Sequence, residues 1–349
     1  MLRYATHVDL SKNNTLNLPC IAHHYLELAS ADDVADAFHR FPEIVKDFLI
    51  LGEASNVMLP PVLDSYVLHF AYQPPESVRL LPCEGSGLSD GSGDTVCLEV
   101  DAGVIWDEFV AFCVAHGWHG LENLSLIPGS VGAAPIQNIG AYGVEVADTL
   151  REVRVFDVLQ QKQLMLSAEQ CQFGYRDSLF KQQPGRYIIL SLQFCLSKMA
   201  AFNLAYGELA ALKEREHLTL ADVRQAVVAA RQAKLPDPKI LPNAGSFFKN
   251  PVVSAQQAER LKAAFPELIA YPQANGQVKL AAGWLIERAG WKGYRNQTVG
   301  VHERQALVLV NHHRGNRDQL LALAQDIRHS VEEMFEVHLD IEPLVLLPV

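Results

Sequence analysis

Several stretches of this 349-residue chain carry side chains suited to chemistry. In Asn243-Ala-Gly-Ser-Phe-Phe-Lys-Asn-Pro251, Ser246, Lys249 and Asn250 sit beside a glycine and an aromatic pair, so polar groups can project from a rigid edge. A serine so placed also serves simply as a turn or cap residue. In Cys171-Gln-Phe-Gly-Tyr-Arg-Asp-Ser-Leu-Phe180, Arg176 stands between Tyr175 and Asp177. Its planar fork suits a carboxylate or phosphate, and the plainer alternative is an Arg–Asp surface pair. Asp340 and Glu342 lie two apart in an expected strand, hence on one face, where one acid can raise the pKa of the other or both can simply meet solvent.

Two loops are suited to an anion or a nucleotide. Gly52-Glu-Ala-Ser-Asn56 follows a compact apolar strand, and its small residues let backbone N–H groups approach a ligand, although an ordinary strand-ending turn reads the same way. Ile127-Pro-Gly-Ser-Val-Gly-Ala-Ala-Pro-Ile-Gln-Asn-Ile-Gly-Ala-Tyr-Gly143 has too many glycines for a helix or a strand interior, and suits a backbone laid against something flat and polar. Gly85-Ser-Gly-Leu-Ser-Asp-Gly91 approaches the dinucleotide fingerprint, but its third glycine is one place late, no strand precedes it and no helix follows. Ser246 has no G-x-S-x-G elbow around it and no evident Asp–His relay, which disfavours a hydrolase.

The elements that must position these residues read as α+β. Strands are expected at Tyr25–Leu28, Asp47–Leu51, Tyr66–Tyr72, Val96–Val100, Val153–Leu159 and Tyr187–Leu196, with helices after Ser30 and over Val104–Gly117 and a loop or wide hairpin over Pro82–Thr95. Helix Leu220–Lys234 runs into Leu-Pro-Asp-Pro, a natural boundary. Beyond it come helices at Ala255–Ala264, Leu280–Ala289 and Arg317–Phe335, a strand at Ala306–Asn311 and a closing strand over Val337–Leu347.

A net charge of −11 argues against a nucleic-acid backbone as partner. No apolar run reaches the roughly 18 residues that span a bilayer, the N-terminus lacks the apolar core of a secretory signal, and cytoplasmic residence is expected. The six cysteines show no metal-ligand spacing, no metal is expected, and most read as buried thiols.

In this order the motifs resemble the UDP-N-acetylenolpyruvoylglucosamine reductase (UDP-N-acetylmuramate dehydrogenase, MurB) family. The stretches that carry the resemblance are 51–57, 120–145, 171–181, KLPDPK at 234–239, 243–254, 278–287 and 305–311. The family implies a flavin-binding lobe of the vanillyl-alcohol-oxidase (PCMH) type holding FAD noncovalently over residues 1–235, in subdomains of roughly 1–60 and 61–235. A smaller α+β substrate lobe at 236–330 and a C-terminal strand, 331–349, returning to the active site would follow. Gly52, Glu53, Ala54, Ser55 and Asn56 would cradle the pyrophosphate. Ile127, Pro128, Gly129, Ser130, Gly132, Gln137, Asn138, Gly140, Ala141, Tyr142 and Gly143 would lie along the ribityl chain and flavin ring.

The reaction implied is reduction of UDP-N-acetylglucosamine enolpyruvate, with NADPH supplying the hydride through FAD, in peptidoglycan precursor synthesis. Ser246 matches the proton donor, while Arg176 and Glu342 match the residues that polarise the substrate carboxylate. A carboxyl in that position helps only if protonated or bridged by a cation, so a raised pKa is expected for Glu342. Tyr175, Tyr206, Lys234, Asn250 and Gln305 would contact the nucleotide-sugar, Tyr206 from an extra substrate-covering loop. A monomer acting on small molecules, with no membrane partner, is expected. The chain departs from the family pattern at Ala54, usually glycine, and at Leu344, where an arginine is common. A flavin oxidase of other specificity and a relative without turnover are the competing readings; KLPDPK and NAGSFFKNP argue against the first.

Overall fold

The computed structural model describes residues 1–83 and 94–346, so the Gly85–Gly91 stretch and most of the expected 82–95 loop lie outside the described residues. Two compact units emerge. The first comprises Met1–Val8, His23–Glu53 and Asp64–Arg231; the second comprises Asp9–Ala22, Ala54–Leu63 and Gln232–Val349.

The first unit is built on two sheets. One orders Arg3–Asp9, Ile21–Leu28, Val62–Phe70 and Phe48–Leu51, the last two parallel with Phe48 opposite Tyr66. Helix Asp32–Arg40 turns Val34, Ala37 and Phe38 into a core with Leu26, Leu28 and Leu68. The other sheet is antiparallel, in the order Lys162–Ser167, Leu150–Asp157, Tyr187–Ser197, Thr95–Asp101 and Arg79–Leu81. Its apolar face packs on helix Trp106–Ala115, which buries Trp106, Phe109, Val110 and Cys113 at helical spacing. Arg3–Asp9 is a strand that apolar alternation does not reveal, because nearly every residue on this edge is exposed.

In the second unit, Asn243–Ser246, Val308–Asn311 and Val299–Val301 form one sheet, and Val252–Val253, Val278–Leu280 and Ala270–Pro272 another. Helix Arg317–Phe335 begins at Asn316, whose side chain pairs reciprocally with Gln319 in a capping box, and buries Leu320, Leu323, Ala324, Ile327, Val331 and Phe335. Where the sequence suggests an uninterrupted first lobe to residue 235, segments 9–22 and 54–63 fold with the C-terminal residues. The cause is burial: Leu16, Leu18 and Met58 share a core with Phe247, Phe248 and the long helix. Asn311 donates to Leu16 O at 2.9 Å and locks segment 9–22 in place. Phe335, Val337 and Leu339 belong to the same core, so residues 331–339 are part of this unit's interior.

The expected closing strand over Val337–Leu347 is not one strand. Ile341 bridges Phe248, Pro343 interrupts, and only Leu344–Val345 pairs, in parallel, with Val57–Met58. Proline has no N–H for a ladder, and the chain changes partner at that point. Asp340 and Glu342 therefore do not share the face of one continuous strand.

Ala54 adopts φ +43°, in the left-handed region where a β-carbon is penalised, and is 5% exposed. Relief of that strain outweighs the added freedom of the unfolded chain, so Ala54→Gly is expected to stabilise by roughly 0.5–1 kcal/mol. Denaturant midpoints at constant m-value measure it; an unchanged or lower midpoint would refute strain at this site.

His119, His302 and His312 have pKa values held below the ordinary 6.5, chiefly because burial disfavours the imidazolium. The unfolded chain takes up these protons first as pH falls. Stability at these sites is therefore complete above about pH 6.5 and declines below it. Between about pH 6.5 and 8, below the range where unfolded thiols ionise, the histidines add no slope, and melting temperatures should fall beneath pH 6.5, less steeply in His119→Gln. Equal slopes for the variant and the parent would remove His119 from the account.

Candidate active site

Strand Phe48–Leu51 delivers Gly52 to the 127–143 loop. A β-carbon on Gly52 would stand 2.6 Å from Ser130 Oγ, and Ser130 is itself buried. The loop is fastened along the segment after Thr95–Asp101: Trp106 N–H donates to Gly129 O (2.9 Å), Val131 N–H to Val104 O (2.8 Å) and Gly132 N–H to Ala102 O (3.0 Å). A β-carbon on Gly132 would lie 2.6 Å from Ala102 Cβ, so only glycine permits this approach. Asn138 and Tyr142 take left-handed conformations at φ +45° and +49°, followed by Gly143 at +79°. These left-handed residues bend the main chain sharply at both positions.

Asn138 braces this loop from within. It is 1% exposed; its amide nitrogen donates to Glu145 Oε2 (2.6 Å) and Gly174 O (3.1 Å), and its oxygen accepts from Ala147 N–H. Arg176 reinforces it, donating through Nη2 to Gly140 O (2.7 Å) and through Nη1 to Asn138 O (3.4 Å). Its own backbone, at φ +54°, is fixed by the tight Gly174–Asp177 turn and by Lys181 Nζ donating to Arg176 O at 2.9 Å. Asp177 accepts from Gln182. The Arg176 guanidinium stands 5.7 Å from the ring centroid of Tyr175, which is 43% exposed.

Two residues that motif reading passes over belong to this construction. Asn123 donates to both Tyr142 O and Asn203 O at 2.9 Å, joining the 142–143 turn to the segment that carries Tyr206. Asn203 in turn donates to Gly143 O at 3.0 Å. Arg231, near the end of helix Leu220–Lys234, donates to Leu126 O at 3.3 Å. Deep burial pulls its pKa down, the Tyr142 and Asp107 charges oppose that, and Arg176 lies within electrostatic reach and adds to it. One turn of spacing twice over puts Arg231 on the helix face of Arg224, which grips Asp107 through both oxygens at 2.7 and 2.9 Å. That seven-residue spacing was the available signal. The Tyr206 segment folds as a 3-10 helix, Gly207–Glu214, whose Leu209 packs with Val223 and Val227, and the Tyr206 ring meets Tyr142 edge-on at 6.2 Å.

In the second unit, Ser246 ends strand Asn243–Ser246 opposite Val308, after Gly245 at φ +70°. Phe247 and Phe248 beyond it are buried anchors. They also position the tail: Glu342 N–H donates to Phe247 O and Lys249 N–H to Asp340 O, each at 2.9 Å. Glu342 is thus held by its backbone to the residue adjoining Ser246. Asn250 Oδ1 accepts from Ala282 N–H (2.9 Å) at the start of helix Ala282–Arg288, and Gln305 Oε1 lies 3.1 Å from where a Gly283 β-carbon would be. Both amides of the expected substrate set therefore meet one helix end. Lys234 closes helix Leu220–Lys234. Leu344 N–H donates to Asn56 O at 2.9 Å while its side chain is 51% exposed.

The 127–143 loop and the strands that hold it lie within residues 22–159, which match the family described as "FAD binding domain", and this makes the chain a flavin-binding protein. Residues 237–346 match "UDP-N-acetylenolpyruvoylglucosamine reductase, C-terminal domain". Proteins named UDP-N-acetylenolpyruvoylglucosamine reductase from Pseudomonas aeruginosa and Pseudomonas fluorescens are 43% and 45% identical over 98% of this chain and 98% of their own length. That of Neisseria gonorrhoeae is 45% identical, over 98% of this chain and 96% of its own. The chain belongs to the UDP-N-acetylenolpyruvoylglucosamine reductase family. Its fold is that of the solved UDP-N-acetylenolpyruvylglucosamine reductase of Thermus caldophilus, 20% identical with a TM-score of 0.67 over 99% of both chains.

Proposed function

We propose that this chain reduces UDP-N-acetylglucosamine enolpyruvate to UDP-N-acetylmuramate with NADPH, through noncovalently bound FAD, in peptidoglycan precursor synthesis. The observation that carries the proposal is full-length identity of 43–45% to reductases of that name. The residues present fit FAD. Gly52 and Gly132 have no room for a β-carbon against Ser130 and Ala102, so the two loops are built of small residues held close to their own supports, as a backbone that lies along a ligand requires. We assign residues 52–56 and 127–143 to hold it, and residues 236–330 to the nucleotide-sugar.

When bound by these loops, FAD would supply the chemistry of hydride transfer between NADPH and the terminal carbon of the enolpyruvyl group. Charge then grows on the adjacent carbon and its carboxylate. Arg176, already oriented by the Gly140 and Asn138 carbonyls, is the cation aimed at that charge. Glu342 acts at the same carboxylate, and the Ser246 hydroxyl gives a proton to the adjacent carbon. Tyr175, Tyr206, Lys234, Asn250 and Gln305 bind and orient the nucleotide-sugar. Such small-molecule chemistry needs no protein partner, and we assign the chain as a cytoplasmic monomer, where NADPH and nucleotide-sugars are made. Among the described residues no helix is long and apolar enough to cross a membrane.

An absorbance titration tests this reading. The purified protein should be yellow, bleach under anaerobic NADPH and recover its colour with UDP-N-acetylglucosamine enolpyruvate. Bleaching without recovery would reject the substrate, and a colourless protein that takes up no FAD would reject the cofactor.

A further inference from the structure

Three of the six cysteines meet on the antiparallel sheet of the first unit. Val96, Leu98 and Val100 point into the Trp106 core, as do Leu192, Phe194 and Leu196 of the neighbouring strand. Alternation sends Cys97 and Cys195 to the opposite face, which Glu99, Asp101, Arg154 and Ser191 make polar. Cys97 and Cys195 are directly opposed, with their Sγ atoms 3.0 Å apart. Cys195 N–H donates to Thr149 O on its other side, so towards Cys97 the pair is of the kind that exchanges no backbone hydrogen bonds. Such pairs hold Cα atoms about 4.5 Å apart, at the short end of the spacings a disulfide spans.

Cys83 completes the cluster. Leu81 is opposite Cys97, so Cys83, two residues further on, lies diagonal to it, and its thiol donates to Thr95 O at 3.7 Å, two residues from Cys97 on the same strand. Cys97 and Cys195 are 1% and 7% exposed, whereas Cys83 is half-buried. Among the described residues no group of three or more His, Cys, Asp or Glu could hold a metal.

We propose that Cys83, Cys97 and Cys195 form a thiol–disulfide site, in which a peroxide oxidises the half-buried Cys83, the most accessible of the three, and the oxidation passes inward to give a reversible Cys97–Cys195 disulfide. The Cys83 thiolate attacks one oxygen of hydrogen peroxide, forming a sulfenic acid and releasing hydroxide. The Cys97 thiolate attacks the Cys83 sulfur and displaces that hydroxide, making the Cys83–Cys97 bond. The Cys195 thiolate then attacks the Cys97 sulfur, and Cys83 leaves as a thiolate and regains a proton. In sum, Cys97 and Cys195 lose two protons and two electrons, and the peroxide becomes two waters. The close cross-strand spacing makes the product readily reducible, so a dithiol restores the resting state.

The test is peptide mapping of the full chain without reduction, after hydrogen peroxide and alkylation of the remaining thiols. A cross-linked peptide pair containing Cys97 and Cys195, abolished by dithiothreitol, is expected. In Cys83→Ser and Cys83→Ala the same cross-link should form roughly tenfold more slowly, because the remaining thiols are buried. Recovery of Cys97 and Cys195 as separately alkylated or overoxidised peptides would overturn the site. A Cys83–Cys97 cross-link as the stable product, or an unchanged rate in both variants, would overturn the inward transfer.

Discussion

Ser246→Ala leaves reduction of the bound flavin by NADPH unchanged and slows its reoxidation by the enolpyruvyl sugar by about 10²–10⁴-fold, the usual contribution of a positioned proton donor. The separation is possible because Ser246 is held by elements of its own. Its strand pairs with Val308–Asn311, and Phe247 and Phe248 pack beside it in the core, so truncating one half-buried hydroxyl disturbs neither. Serine is a weak acid, and its proton moves only as negative charge develops on the carbon that receives it. Ser246→Cys, which keeps a donor, should retain part of the second half-reaction. Stopped-flow absorbance of the two half-reactions reads both effects. Equal loss in both would show that Ser246 positions the flavin or the fold and does not give the proton.

Arg176→Lys lowers kcat/KM for the sugar by roughly 10²–10³-fold, as removal of a positioned donor to a developing charge commonly does. Charge is conserved in this variant, so the loss measures geometry. The guanidinium spans the Asn138 and Gly140 carbonyls from one planar fork; an ammonium presents a single point and cannot span them while also facing a carboxylate. Because these carbonyls belong to the loop assigned to the flavin, the variant should also bind FAD more weakly, seen as a shifted flavin spectrum on dilution. An activity close to that of the parent would reduce Arg176 to a general positive charge.

The motifs around Arg176 and Ser246 were legible because their chemistry is local: a serine after Ala-Gly and before two aromatics, and an arginine after Gly-Tyr. Helices Leu220–Lys234, Ala255–Ala264 and Arg317–Phe335 were equally legible, since a 3.6-residue apolar stripe and a capping residue are written in consecutive positions. The closing strand was not, because apolar and polar residues alternate as in one strand up to Glu342 and Pro343 then divides the run, and the choice between Phe248 and Val57 as partners depends on segments far away in the chain.

By itself the sequence determined the α+β class, the family, the glycine positions that strip side chains from the 127–143 loop, and which residue types stand ready for chemistry. The tertiary structure alone decided what those residues do to one another. It turned Asn138 inward as a brace, brought Asn123 and Arg231 to the loop, tied Glu342 by its backbone to the residue after Ser246, and set Cys97 against Cys195. The reason is physical. Propensity, periodicity and turn chemistry act over a few residues, whereas buried polar groups must find partners wherever the packed chain supplies them, and those partners lie many residues away.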